Sequence, residues 1–166
     1  LVTDPGNDTV TNYVVLWGDG QSSTFTTGGV KTHTYADGSN DYAITVDLID
    51  EDGTFVNRAN PQSVTIINVV PTIAISGAAS VDEGSEYSLN LGSTIDPGTD
   101  TVTSYVVHWG DGHSNTYTTD GVKTHTYADG SNNYSVTVDL VDEDGIFYNR
   151  ANAHSVNVVN VAPLLV

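Results

Sequence analysis

Tyr134-Ser-Val-Thr-Val-Asp-Leu-Val-Asp-Glu-Asp-Gly145 holds the key to the architecture. Tyr134, Val136, Val138 and Leu140 fall on every second position, with Ser, Thr and Asp between them. Alternation of period two sends the apolar set to one face of a strand and the polar set to the other. Asp142-Glu-Asp-Gly145 then ends the run, because Asp and Gly accept the backbone angles of a tight turn. A half-buried strand followed by a hairpin is expected.

The same pattern occurs twice. Tyr42-Ala-Ile-Thr-Val-Asp-Leu-Ile-Asp-Glu-Asp-Gly53 lies 92 positions earlier, and Trp17-Gly18-Asp19-Gly20 matches Trp109-Gly110-Asp111-Gly112 in the same register. Lys31 to Asn40 and Lys123 to Asn132 are identical throughout. Such self-similarity marks a tandem repeat. One whole repeat runs over residues 71–162, residues 1–70 are a partial repeat lacking the first two strands, and residues 163–166 begin the next linker or repeat. The chain opens on Leu1 without an initiator and is expected to be a piece of something longer. The first copy, without a counterpart of Thr72 to Gly92, is expected to have an open edge or to be completed by another segment.

Further alternation at Tyr87, Leu89, Leu91 and at Tyr105, Val107, Trp109 predicts two more strands. Thr72–Ser76, Ser114–Tyr117, Val122–Tyr127 and Val156–Val161 read as others, separated by Gly, Asp and Asn turns. No stretch has helical periodicity. About seven strands per repeat predict an all-β chain of tandem immunoglobulin-like antiparallel β-sandwich modules.

Composition narrows the function. Among 166 residues, 4 Lys+Arg face 21 Asp+Glu, a formal net charge of −17. That charge repels nucleic acid and anionic lipid, so neither is an expected partner. No apolar run approaches the roughly 20 residues of a membrane span, so no membrane insertion is expected. With no cysteine, there are no disulfides or thiolate sites, and oxygen ligands are expected for any metal that binds.

A strand ending in Trp109-Gly-Asp-Gly112, then His125-Thr-Tyr-Ala-Asp-Gly130, then Tyr134 to Gly145 resembles the PKD domain family. Pro71-Thr-Ile73, Val81-Asp-Glu-Gly84 and Asp96-Pro-Gly-Thr-Asp100 fit it as well. The usual Tyr-x-Trp-x-Phe-Gly-Asp-Gly is altered, since Val107 stands in the Trp slot and Trp109 in the Phe slot. The resemblance implies a non-catalytic spacer or binding module of bacterial surface proteins or secreted hydrolases, and hence an extracellular or cell-surface location.

The acidic loops are the candidate site. Asp96 and Asp100 precede the third strand, whereas Asp142, Glu143 and Asp144 form the last hairpin turn, and in such a sandwich these loops share one end. Carboxylates gathered there repel one another unless a hard cation with roughly 6 to 8 oxygen ligands bridges them, which points to Ca2+. The proposed ligands are Asp96, Asp100, Asp142 and Asp144, with Asp4, Asp8, Asp50 and Asp52 as the equivalents in the first copy; Asp82 and Glu83 are possible additions. An ion held there, with a backbone carbonyl near Asn68, is expected to clamp the module junction. The competing reading is that Asp-Glu-Asp-Gly is only a hairpin turn.

Trp17 and Trp109 share the inward parity of their strands and read as core, and Asp19 and Asp111 as turn-formers. His33 and His125 lack a cysteine or second histidine at ligand spacing, which argues against zinc. No Gly-x-Ser-x-Gly elbow or recurring Ser-His-acid set is present, so no catalytic residues are assigned and no enzyme activity is expected. The functional expectation is a structural spacer repeat, stiffened by calcium at module junctions, with neighbouring repeats of the same chain as its partners. Two alternatives stay open. One is a carbohydrate- or protein-binding accessory module of a secreted hydrolase or adhesin, using Tyr117 and Tyr148 against surface glycans; the other is a filament subunit completed by strand exchange with like chains.

Overall fold

The structure, a computed structural model, describes Val2 and residues 8–165. It divides into two compact units, one up to Asn68 and one from Val69. Every regular element among the described residues is a β-strand, so the chain is all-β.

The C-terminal unit is an immunoglobulin-like sandwich of two sheets. Strands β9 (Ser104–His108), β10 (Ser114–Tyr117), β12 (Asn132–Val141) and β14 (His154–Val159), with β7 (Ser80–Asp82), form one sheet in the order β10-β9-β12-β14-β7, and β13 (Ile146–Phe147) pairs with β12. Strands β6 (Thr72–Gly77), β8 (Glu86–Ile95) and β11 (Gly121–Thr126) form the other, in the order β11-β8-β6. All pairings between these strands are antiparallel except β7 with β14, which run parallel from Ser80 opposite Asn157 to Asp82 opposite Val159; Ile73 also forms an isolated parallel bridge with Ala151. That parallel pair and the two short strands β7 and β13 are the departures from about seven antiparallel strands. Both are too short to show a period in sequence.

Alternation fixes which side chains are buried. Ile73 and Ile75 of β6, Tyr87, Leu89 and Leu91 of β8, Tyr105 and Val107 of β9, and Val136, Val138 and Leu140 of β12 join Trp109, Tyr127, Val156 and Val158 in one core between the sheets. Val107, taking the slot that the resemblance gives to Trp, is wholly buried, as is Trp109. The Trp109 indole N–H donates to Asn115 Oδ1 at 2.8 Å, which satisfies its one polar atom. Gly110 has φ +89° and its α-carbon lies where a Cβ would meet the Ser135 carbonyl at 2.7 Å, so only glycine fits beside β12.

The N-terminal unit has a single described sheet. Strands β1 (Asn12–Leu16), β2 (Ser22–Phe25), β3 (Asn40–Ile49) and β4 (Thr54–Phe55) run in the order β2-β1-β3-β4, and β5 (Gln62–Ile66) pairs with β3. Lys31 to Tyr35, identical to the residues that end β11 and follow it, form no strand here. Tyr13, Val15, Val46 and Lys31 instead line a cavity of about 450 Å³.

Candidate functional site

The sandwich brings the acidic loops of the C-terminal unit together. The β8–β9 loop carries Asp96 and Asp100, and the β12–β13 turn carries Asp142, Glu143 and Asp144. The turn is set by its own residues: the Asp142 amide donates to the Gly145 carbonyl at 3.1 Å, and Asp142 Oδ1 accepts the amides of Asp144 (2.8 Å) and Gly145 (3.2 Å). Glu143 Oε2 accepts the Thr101 amide at 2.9 Å and so ties the loop to the turn. That bond and the Glu143 backbone amide hold its carboxyl below the ordinary range.

Both carboxylate oxygens of Asp96 and Oδ2 of Asp142 are shielded from solvent and meet no hydrogen-bond donor. Asp142 as a residue is 6% exposed. Burial first, and then the charges of Asp142, Asp100, Glu143 and Asp144, push the Asp96 carboxyl upward from its ordinary value. The other three expected ligands of this unit thus lie within electrostatic reach of Asp96. Orphaned buried carboxylate oxygens are costly, and unusual in folded proteins. Asp139 in the same unit, also 6% exposed, shows the ordinary alternative, since its oxygens accept the Asn149 amide at 2.8 Å and face His108 Nε2 at 2.9 Å.

In the N-terminal unit Asp50 and Asp52 repeat the turn, with Asp50 Oδ1 accepting the amides of Asp52 (2.8 Å) and Gly53 (3.2 Å). Glu51 Oε2 accepts the Thr9 amide at 3.1 Å, the same clasp. Asp8 is exposed, and Asp4 lies outside the described residues. Glu83 is engaged by backbone: Oε2 accepts the Gly130 amide at 2.6 Å and Oε1 the Val161 amide at 2.8 Å, which holds its carboxyl below the ordinary range. Asp82 beside it is exposed.

A second polar group surrounds each Trp-Gly-Asp-Gly turn. Asp111 Oδ2 lies 2.7 Å from His125 Nε2, and the His125 ring stacks on Trp109 at 4.7 Å with Tyr127 edge-on at 4.6 Å. Asp19, His33, Trp17 and Tyr35 repeat this, with the same 2.7 Å contact. The His33 hydrogen bond, against an opposing effect of burial, lowers the Asp19 carboxyl. In the C-terminal unit alone, His113 Nδ1 also approaches Asp111 Oδ2, at 3.3 Å. A histidine two residues beyond Asp111 and twelve before His125 is the signal that spacing rules for a single loop miss, because the crossing of the chain from β10 in one sheet to β11 in the other, not the sequence interval, brings the two rings together.

Of the aromatics considered for stacking on sugars, Tyr148 is 68% exposed. Tyr117 is packed against the core with the Lys123 ammonium 4.9 Å above its ring, so that face is taken.

No family model matches the chain, and no curated protein sequence matches it. Among solved structures, the fibronectin(III)-like modules of CbhA from Clostridium thermocellum are similar to this chain at 14% identity and a TM-score of 0.44, over 95% of this chain and 83% of that one. At that level the likeness assigns no activity.

Proposed function

We propose that this chain is a non-catalytic architectural repeat of a large extracellular or cell-surface protein, resembling PKD domains, whose acidic module end takes up calcium. The observation that carries the reading is the set of orphaned, shielded oxygens on Asp96 and Asp142, surrounded by three further carboxylates. Hydrogen-bonded turns alone leave those oxygens without a counter-charge, whereas a hard cation supplies one. Oxygen-only donors on two loops suit calcium better than magnesium, which demands near-ideal octahedral geometry. Asp96, Asp100, Asp142 through Oδ2, and Asp144 would hold the ion, while Glu143 keeps the loop on the turn. The ion would neutralise part of the net charge of −17 and fix two otherwise repelling loops.

Near-identical repeats favour an architectural role, since copying one stable unit extends a chain of modules indefinitely. Extracellular calcium is abundant enough to fill even a weak site. For the accessory-module alternative, the exposed aromatic rings among the described residues are Tyr148 and Phe55, one in each unit, whereas a sugar-binding face needs several groups together.

The test is thermal unfolding of the full chain with excess calcium and with a chelator, together with metal analysis. A rise on the order of 10 °C at about 100-fold excess over Kd, lost in Asp96→Asn and Asp142→Asn, is expected. No shift and no bound calcium would reduce the acidic end to turn residues and solubilising charge.

A further inference from the structure

We propose that Asp111, His113 and His125 form a transition-metal site of the zinc class, present in the C-terminal unit and lacking in its repeat. Their ligand atoms all lie within 4.8 Å of one another. Asp111 Oδ2 stands between the imidazoles, 2.7 Å from His125 Nε2 and 3.3 Å from His113 Nδ1. Two ligands at ordinary zinc distances in a tetrahedron stand about 3.3 Å apart. One contact already has that span, and the other reaches it by opening about 0.6 Å.

The supporting shell is built. Asp111 Oδ1 accepts the His113 amide at 3.0 Å, which fixes the carboxylate and leaves Oδ2 toward both rings. His125 is held flat against Trp109, with Tyr127 edge-on to it, so its Nε2 keeps its direction. Ligands oriented by such neighbours lose little freedom on binding. The His113 side chain is 75% exposed, so the open side admits the ion and leaves a fourth position for water. Imidazole nitrogens and one carboxylate suit zinc, copper or nickel and not calcium, so this site is chemically separate from the acidic loops. Binding replaces the Asp111–His125 hydrogen bond by two metal–ligand bonds; both imidazoles must be neutral, and any proton displaced goes to solvent.

The chain carries its own control. Asp19 and His33 reproduce the pair at 2.7 Å, but Gln21 stands where His113 does. The untagged 166-residue chain is titrated with zinc chloride in saturating calcium, which keeps the acidic loops out of the measurement. Cobalt(II) is substituted to read coordination from its visible spectrum. One zinc per chain and a tetrahedral cobalt spectrum are expected. H113Q, which installs the residue the first repeat already carries, should weaken zinc binding by about tenfold or more. Q21H should raise the stoichiometry from one to two. Zinc binding unchanged by H113Q, or a stoichiometry that stays at one in Q21H, overturns the assignment. A failed calcium response leaves this test unaffected.

Discussion

Lys31-Thr-His-Thr-Tyr35 and Lys123-Thr-His-Thr-Tyr127 are the same five residues in two structural states. In the C-terminal unit Lys123 to Thr126 belong to β11 and pair with β8, Lys123 opposite Leu89 and His125 opposite Tyr87. In the N-terminal unit, where no counterpart of β8 exists among the described residues, the segment is irregular. Its side-chain cluster nevertheless survives, with the His33 ring on Trp17 at 4.7 Å and Tyr35 on Tyr42 at 5.0 Å. The ladder therefore depends on a long-range partner, whereas the aromatic stack depends only on the turn and on β3. Strand propensity is here a property of the neighbour.

The largest effect should separate the two cores. Leu140 is wholly buried in the C-terminal unit, but its counterpart Leu48 is only half-buried. Leu140→Ala should cost about 2–5 kcal/mol and Leu48→Ala about half as much or less. Hydrogen exchange at Val106 and at Val14 reads each unit by itself. Equal losses would show that the N-terminal core is as well packed as the other.

A smaller effect tests whether the absent neighbour is the cause. A synthetic peptide of the sequence Thr72–Ile95 carries β6 and β8 and can supply the missing sheet to the cavity lined by Tyr13, Val15 and Val46. Bound, it should slow amide exchange at Lys31 to Tyr35 and raise the melting temperature of the N-terminal unit. A scrambled peptide should do neither. If the native peptide leaves these amides fast, the irregular segment has a local cause and the comparison fails.

These contrasts explain what was legible in the sequence. Period-two runs place Tyr87, Leu89, Leu91, Val136, Val138 and Leu140 inside, and all six are buried, because alternation records burial directly. Ser114–Tyr117 has the expected bounds. The short parallel strand β7 left no trace, since three residues carry no period and its pairing with β14 spans most of the unit. At the acidic end, the approach of Asp142 to Asp96 was expected because the two loops share one end of such a sandwich. The role of Glu83 did not, because its partners Gly130 and Val161 are backbone amides, invisible in side-chain patterns.

The smallest effects lie in pH, and the two polar groups should respond with opposite sign. Asp96 is raised above its ordinary value of 3.8 by burial and by like charges. A raised carboxyl contributes stability that is complete below the unfolded value and is lost as pH rises through the folded one. Calcium-free protein should therefore gain stability from this group as pH falls from neutral, and Asp96→Asn should remove that gain. With calcium bound the carboxylate is required, so acid should instead weaken the ion's grip over the same window.

Asp19 and Asp111 run the other way. For Asp111, burial raises the carboxyl, but the hydrogen bonds from His125 and the His113 amide outweigh it, and the net direction is downward. Asp19 is lowered chiefly by His33. A lowered carboxyl contributes stability present above the unfolded value, 3.8 here, and lost as pH falls through the folded value. Both units share this pair, so both should lose stability in strong acid, and Asp19→Asn and Asp111→Asn should each blunt the loss in its own unit only. The pairs are near the surface, so screening keeps each effect small. Melting temperatures followed from pH 5 to pH 2, with hydrogen exchange assigning each transition to a unit, should show the two variants matching in size. A much larger effect for Asp111→Asn would show that the closed sandwich strengthens its pair, and would extend the contrast between the units from the ladder to the turn.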